Sequence, residues 1–193
     1  MKKWIITIMI ASIMGGSYGA LHFDSLTAKL HHVTSSAKSL ILGGGTEEKV
    51  PVELDHVVDG DTISVKFEGE TKAKTVRLLL VDTPESIKPN TPVQPFAKEA
   101  SNYMKKLVAD SKLTLEYDSG GDTDKYGRVL AYVYADGKSI NEEMLREGFA
   151  RVAYVYEPNT RYLNKFKKVE ASAKEKKKNI WSKQGYVESD GFQ

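Results

Sequence analysis

The 193-residue chain contains no cysteine, and this absence removes several kinds of chemistry. It excludes a disulfide framework, a thiolate zinc site and a catalytic thiol. It also excludes a bacterial lipoprotein anchor, which needs a cysteine after the leader. A domain without covalent cross-links must be stable through packing alone, which a chain of about 140 residues can achieve.

Histidine is scarce as well, and the net charge is small. Only one of the four histidines, His56, lies beyond the first 50 residues, which disfavours a histidine-ligated zinc hydrolase. The net charge is only +2, too small to predict nucleic-acid binding by itself. A local basic groove stays possible, because acidic and basic residues need not be evenly spread.

The amino terminus has the pattern of an export signal. Lys2 and Lys3 precede an apolar run over residues 4–14, and small residues follow up to Ala20. The run is shorter than the ~20 residues that a membrane span needs. We therefore expect residues 1–20 to be a signal peptide and the protein to be secreted. The alternative is an uncleaved leader that anchors the protein in the membrane, facing outward.

The rest of the chain divides into three parts by composition. Residues 21–50 have weak periodicity and include three consecutive glycines at 43–45, so they are predicted to be a flexible spacer. Residues 51–182 are predicted to form the folded domain. Residues 183–193 are predicted to be a polar tail that frays.

Strand and helix patterns alternate within residues 51–182. Short apolar and alternating runs predict strands over 54–58, 63–67, 75–81, 113–117 and 129–134. Apolar residues at helical spacing predict helices over 96–108 and 162–173. Ser139 with Glu142 predicts the start of a further helix that Gly148 ends. Such a set predicts an α+β fold, a small barrel with helical cover.

Polar side chains concentrate in three segments next to these strands, at 59–62, 77–85 and 124–128. Thr83 precedes a proline and is therefore held in an extended conformation, so its carbonyl can turn outward together with the Asp82 carboxylate. Asp61 could supply a second carboxylate from a neighbouring strand end. Carboxylate and carbonyl oxygens suit Ca²⁺ and leave positions for water.

The same segments offer a general base and two permanent cations. Glu85 is placed to activate a water molecule, and Arg77 and Arg128 suit a phosphodiester whose oxygens gain charge in the transition state. Each piece alone has a simpler interpretation: a turn at 59–62, a structural ion pair for Arg77, a hairpin tip at 124–128. Their order and spacing together favour phosphodiester hydrolysis.

Six ordered motifs extend this pattern over residues 52–181. They are Asp-Gly-Asp-Thr (59–62), Arg-Leu-Leu-Leu-Val-Asp-Thr-Pro-Glu (77–85), Thr-Asp-Lys-Tyr-Gly-Arg (123–128), Leu-Ala-Tyr-Val-Tyr-Ala-Asp-Gly-Lys (130–138), Val-Ala-Tyr-Val-Tyr (152–156) and Asn-Ile-Trp (179–181). In these motifs the chain resembles the thermonuclease (staphylococcal-nuclease-like) family. So many ordered matches make chance agreement negligible.

The resemblance implies a five-stranded OB-fold β-barrel with three α-helices. It implies one Ca²⁺ held by Asp61, Asp82 and the carbonyl of Thr83. It further implies that Glu85 is the general base, and that two arginines bind the phosphate and stabilise a phosphorane-like transition state. The residues that match those arginines are Arg77 and Arg128.

The resemblance also implies how substrate is bound and cut. Lys125 and Tyr126 match residues near the terminal phosphate, and Tyr154 and Tyr156 match the lining of the nucleotide pocket, although tyrosines at period two can also simply fill a barrel. The implied reaction is calcium-dependent cleavage of the 5′ P–O bond of DNA and RNA, which leaves 3′-phosphate ends. Stacking on aromatic rings favours single strands or frayed duplex. We expect a monomer with no obligate protein partner, and membrane contact only if the leader is uncleaved.

Two other classes of protein stay open. A binding module that has lost activity should lack some of the acidic residues or arginines, and none is missing. A calcium-stabilised surface protein would explain Asp61 and Asp82, but it leaves Glu85 and the arginines without a role. Residues 86–94 depart from the staphylococcal pattern and carry one lysine, Lys88, so the preference between DNA and RNA stays open.

Overall fold

Ten short strands and three α-helices make up the computed structural model, which describes residues 49–86 and 92–193. The strands are β1 (Val50–Val57), β2 (Thr62–Phe67), β3 (Lys74–Leu78), β4 (Val81–Asp82), β5 (Leu113–Glu116), β6 (Val129–Ala135), β7 (Lys138–Ser139), β8 (Arg151–Val152), β9 (Val187–Glu188) and β10 (Gly191–Phe192). The helices are α1 (Ala97–Val108), α2 (Ile140–Arg146) and α3 (Leu163–Glu175).

Five of the strands close into a barrel. Strand β1 pairs antiparallel with β2 on one side and with β5 on the other, β2 pairs with β3, and β5 pairs with β6. A parallel pairing of β3 with β6 closes the ring and sets Arg77 opposite Leu130. Ile63, Val65 and Leu115 are fully buried in its interior. The predicted α+β fold, a five-stranded OB-type barrel with three helices, is confirmed.

The helices cover the barrel, and their sequence signals explain their limits. Helix α1 buries Ala100 and Met104, four residues apart on one face. Helix α2 begins at Ser139, whose side chain accepts a hydrogen bond from the backbone N–H of Glu142, as the sequence predicted. Gly148 follows that helix with a φ of 69°, a conformation that favours glycine.

The strand predicted over residues 75–81 is wrong in its second half. Strand β3 ends at Leu78, and Leu80 adopts a φ of 63° before the chain resumes as β4. The side chain of Arg77 donates hydrogen bonds to the carbonyls of Leu78 and Val81 and so stabilises this turn. The buried leucines themselves give no signal of this turn, because the side chain that stabilises it, that of Arg77, lies outside the leucine run.

The carboxyl-terminal tail, for which the polar composition predicted fraying, contains two short strands. Strands β9 and β10 form a small hairpin in which Val187 pairs with Phe192. Tyr186, just before it, is 1% exposed, and its hydroxyl donates to the carbonyl of Pro95 at 2.5 Å. A few aromatic residues are enough to pack an otherwise polar segment against the domain.

Several predicted regions lie outside the described residues. They are the leader (1–20), nearly all of the spacer (21–50) and residues 87–91 of the divergent segment. Within the part of the chain that the structure does describe, no helix is long and apolar enough to cross a membrane.

Candidate active site

A cleft of about 600 Å³ opens beside the β3–β4 turn and the loop that precedes β6. Every residue predicted for the site lines this cleft, although the residues come from distant parts of the chain. The pairing of β3 with β6 brings two of these parts together, because it sets residues 76–78 beside residues 129–131. It thereby places the segments that adjoin them, up to residue 85 and from residue 124, near each other. The predicted residues in the lining are Asp61, Arg77, Asp82, Thr83, Glu85, Lys125, Tyr126, Arg128, Tyr154 and Tyr156.

The side chain of Asp61 is fixed against Thr83. Its Oδ2 atom accepts hydrogen bonds from the backbone N–H of Thr83 at 2.9 Å and from the Thr83 hydroxyl at 3.1 Å. Its Oδ1 atom accepts a third from the hydroxyl of Thr62 at 2.9 Å. Both Asp61 and Thr83 are buried. The two segments that carry the predicted cation ligands are therefore joined directly.

Three aspartates line this side of the cleft and repel one another. Burial, followed by the nearby Asp61 carboxylate, raises the pKa of Asp59 to about 7. The same two causes raise the pKa of Asp82. Because buried like charges destabilise each other, a cation bound beside these carboxylates would lower the free energy of the group.

The donor atoms fit a hard divalent cation. Asp61, Asp82 and the carbonyl of Thr83 offer only oxygen, which is the ligand atom that such cations prefer. Within residues 49–86 and 92–193, no three His, Cys, Asp or Glu side chains are grouped closely enough to hold a metal ion. A cation at this place would thus depend on two carboxylates, a backbone carbonyl and water.

Arg77 binds both the β3–β4 turn and the aspartates. Its Nη1 atom donates to the carbonyls of Leu78 at 3.0 Å and Val81 at 2.8 Å. Its Nη2 atom lies 3.2 Å from Asp61 Oδ2 and 3.6 Å from Asp82 Oδ1, and the side chain is 10% exposed. The structural ion pair considered for this residue is present, and the same guanidinium also lines the cleft.

Arg128 is more accessible, and Asp124 organises the loop that carries it. The Arg128 Nε atom donates to Asp124 Oδ2 at 2.7 Å, and Asp124 Oδ1 accepts from the backbone N–H groups of Tyr126 and Arg128. Burial acts to raise the pKa of Asp124, but these hydrogen bonds hold it below its usual value. The Arg128 side chain is 34% exposed, so a substrate can reach it more easily than it can reach Arg77.

The tyrosines of the motifs at 130–138 and 152–156 differ in burial. Tyr132 and Tyr134 are buried, whereas Tyr154 is 55% and Tyr156 is 70% exposed at the cleft. Tyr154 has a φ of 52°, which is uncommon for a residue with a side chain, and its ring centroid lies 5.2 Å from Arg77 Cζ. The exposed rings provide flat surfaces on which bases can stack.

The backbone of Glu85 is paired with Gln94. The Glu85 N–H donates to Gln94 Oε1 at 2.6 Å, and the Gln94 N–H donates to the Glu85 carbonyl at 3.0 Å. These two bonds join the ends of the segment 86–94. They fix the backbone of Glu85 at the edge of the cleft.

Several polar residues that line or support the cleft were not predicted, and they include Asp59, Gln94, Asp124, Arg151 and Asn159. The Nε atom of Arg151 donates to Asp82 Oδ2 at 2.9 Å, across the pairing of β4 with β8. Asp59 and Asp124 lie inside motifs already recognised, and Arg151 directly precedes one, so position next to a motif was the available signal. Gln94 carries no comparable signal in the sequence.

The sequence is similar to those of known proteins over most of the described domain. Residues 75–183 match the family model described as "Staphylococcal nuclease homologue". The SPbeta prophage-derived endonuclease YokF of Bacillus subtilis (strain 168) is 58% identical over 146 residues, which cover 76% of this chain and 49% of that protein. Endonuclease YncB of the same strain is 58% identical over 143 residues, or 74% and 67% of the two chains.

The match to a staphylococcal relative covers a larger share of that relative's length. The thermonuclease of Staphylococcus hyicus is 39% identical over 157 residues, which are 81% of this chain and 90% of that protein. The chain thus spans about half the length of the prophage-derived relative and nearly all of the staphylococcal one.

Proposed function

Since the chain belongs to the staphylococcal nuclease homologue family, we propose that it is a calcium-dependent nuclease that hydrolyses phosphodiester bonds of DNA and RNA. The family match and the relatives named endonuclease and thermonuclease support nuclease activity. The observation that carries the proposal is that two arginines, a glutamate and several aspartates line one cleft. Oxygen ligands, a base and planar cations are the groups that hydrolysis of a phosphodiester needs.

The proposed cation ligands are Asp61, Asp82 and the carbonyl of Thr83. Bound there, Ca²⁺ supplies positive charge beside the phosphate. The protein's part is to hold the two carboxylates in place before the ion arrives. The hydrogen bonds from Thr83 to Asp61 and from Arg151 to Asp82 support this role.

Glu85 acts as the general base in the proposed reaction. It accepts a proton from a water molecule whose oxygen forms a new bond to phosphorus, while the bond from phosphorus to the 5′ oxygen breaks. The 5′ oxygen takes up a proton from solvent and leaves as a hydroxyl, so the phosphate stays on the 3′ end. Arg77 and Arg128 bind the phosphate oxygens and stabilise the charge that they gain in a phosphorane-like transition state.

Residues at the outer part of the cleft bind the substrate. Lys125 and Tyr126 lie on the loop that carries Arg128 and are proposed to contact the terminal phosphate. Tyr154 and Tyr156 are proposed to stack against bases, an interaction that tolerates any sequence and needs unpaired bases. The exposure of these two rings supports a preference for single strands or frayed duplex.

Export of the protein belongs to the same proposal. Lys2 and Lys3, followed by the apolar residues 4–14, have the order of a secretion signal. We propose that the enzyme acts outside the cell as a monomer, on nucleic acid rather than on a protein partner. Fractionation of the producing cells, with detection of the protein in the medium or on the membrane, distinguishes a cleaved leader from a retained anchor.

The direct test of activity uses the purified full chain on heat-denatured DNA and on RNA. Assays with Ca²⁺, with Mg²⁺ and with a chelator are run beside an Arg128→Ala variant and an Arg146→Ala control, since Arg146 forms only exposed ion pairs on α2. We expect cleavage that requires Ca²⁺, is lost in Arg128→Ala and persists in Arg146→Ala, with 3′-phosphate ends by mass spectrometry. A folded, Ca²⁺-binding wild type that cuts neither substrate would favour the binding module instead.

A further inference from the structure

The carboxyl-terminal hairpin, defined here as residues 187–193, packs beside Tyr186 and Arg151. Its base is anchored by Tyr186, whose ring contacts both Phe96 of the chain before α1 and Phe192 of β10, with centroids 5.7 Å and 5.6 Å apart. The backbone N–H of Gln193 donates to the carbonyl of Tyr186 at 2.9 Å and closes the hairpin. The hairpin is therefore held in a defined position.

Arg151 connects this hairpin to Asp82. Its Nη1 atom donates to the carbonyls of Glu188 at 3.2 Å and Ser189 at 3.0 Å, while its Nε atom donates to Asp82 Oδ2 at 2.9 Å. The side chain is 10% exposed, and Phe192 covers it with its ring centroid 5.5 Å from Cζ. One guanidinium is thus fixed on one side by the hairpin and orients the Asp82 carboxylate on the other.

Gln94 forms a second connection. Its Oε1 atom accepts from the Glu85 N–H, and its Nε2 atom lies 3.4 Å from the carbonyl of Phe192. The longer contact is weak as a hydrogen bond, but it directs the amide so that the oxygen faces Glu85. The hairpin therefore contacts the partners of two proposed active-site residues, Asp82 at the end of β4 and Glu85 three residues later.

We propose that the carboxyl-terminal hairpin is a positioning element of the active site, which acts on Asp82 through Arg151 and on the Glu85 backbone through Gln94. The proposal rests on the function proposed above for those two residues. Groups that orient metal-binding side chains usually contribute about 10- to 100-fold to metal affinity or activity. Small displacements of reacting groups also lower rates strongly.

The test compares three variants of the protein. One is truncated after Tyr186, one carries Arg151→Met, and one combines both changes. Arg146→Met is the matched control, because within the described residues that arginine forms ion pairs only with Glu142 and Glu143 of α2. We expect the deletion and Arg151→Met each to weaken Ca²⁺ binding or lower kcat by about tenfold, with KM for single-stranded DNA changed by less than about twofold. Because both changes remove the connection through Arg151, their combined effect should fall short of the product of the single effects.

The charge-conserving variant separates positioning from simple loss of a cation. Arg151→Lys keeps the positive charge but cannot donate to Asp82 and to two hairpin carbonyls at once. We expect it to recover only part of the lost Ca²⁺ affinity. Full recovery would show that the charge alone matters and would overturn the role given to the hairpin.

Amide hydrogen exchange tests the inference without any substrate or cation. The deletion should accelerate exchange of the Glu85 N–H, which donates to Gln94, and leave the N–H of Leu115 in the barrel unchanged. Unchanged exchange at Glu85, or an active deletion variant with wild-type Ca²⁺ affinity and kcat, would overturn the inference. A wild type that neither binds Ca²⁺ nor cleaves would instead contradict the proposed function, and the exchange data would still decide the role of the hairpin.

Discussion

The carboxylate of Asp61 is bound by Thr83 through two hydrogen bonds, one from the backbone N–H and one from the hydroxyl. Beside this contact, Gly60 approaches Thr83 so closely that an added Cβ would lie 2.6 Å from its Oγ1 atom and 2.9 Å from the Cβ of Ala100. The turn before β2, the segment after β4 and helix α1 therefore meet at one point. A small change there should alter both stability and cation binding.

Gly60→Ala should destabilise the protein and weaken Ca²⁺ binding. The new methyl group must displace Thr83 or α1, and enlarging a packed residue typically costs about 1–3 kcal/mol in free energy of unfolding. Denaturant unfolding and calorimetric Ca²⁺ titration measure the two effects. Gly121→Ala is the control, because its Cβ would meet nothing closer than 4.0 Å. Equal stability of the two variants would contradict the close packing seen at Gly60.

Arg77→Lys and Arg128→Lys should both lose most of the activity but differ in stability. A lysine cannot replace the planar group that binds two phosphate oxygens. Only Arg77 also donates to two backbone carbonyls of a buried turn, and each unsatisfied buried group costs about 1–3 kcal/mol. Thermal unfolding should therefore show a lower Tm for Arg77→Lys than for Arg128→Lys. Near-normal turnover of either folded variant would remove that arginine from the mechanism.

Asp82→Asn should weaken Ca²⁺ binding with little change of shape. The substitution removes one of the two carboxylates proposed to hold the cation, and it leaves Arg77 and Arg151 facing a neutral group. Titration calorimetry in the absence of substrate measures the affinity. Asp55→Asn is a suitable control, because Asp55 lies on β1 and is paired with Lys66 and His56. Unchanged affinity in Asp82→Asn would exclude this residue as a cation ligand.

Glu85→Gln should lower kcat far more than it lowers nucleotide affinity. An amide cannot accept the proton of the attacking water, and loss of a general base typically costs about 10²- to 10⁴-fold in rate. Single-turnover cleavage and equilibrium binding of a short oligonucleotide separate the two quantities, with Glu175→Gln on the exposed face of α3 as control. Equal losses in rate and in affinity would argue for a binding role.

Local signals predicted much of the fold. The cap at Ser139 and the end of α2 before Gly148, with its φ of 69°, depend on a few neighbouring residues, so the sequence predicts them directly. The left-handed Leu80 depends on hydrogen bonds from the side chain of Arg77. Because that contact exists only in the folded chain, periodicity could not predict it.

In the candidate site, too, some residues could be predicted from the sequence and others depend on contacts that exist only in the folded chain. The predicted site residues fall in motifs whose order carries the resemblance, and all of these residues line the cleft. The supporting residues are different, because their roles come from strand register and from contacts over long sequence distances. Arg151 faces Asp82 only when β8 pairs with β4, and Gln94 contacts Phe192 only when the last residues fold back.

The parallel pairing of β3 with β6 has a consequence for when the protein becomes active. Arg77 lies in β3 and Arg128 directly precedes β6, so the two arginines come together only when this pairing forms. Contacts between strands far apart in sequence form slowly, because a long loop must close first. A chain that crosses a membrane unfolded would therefore acquire its cutting activity only after the crossing. Under the export proposed above, the order of folding would thus protect the nucleic acids of the cell that makes the protein.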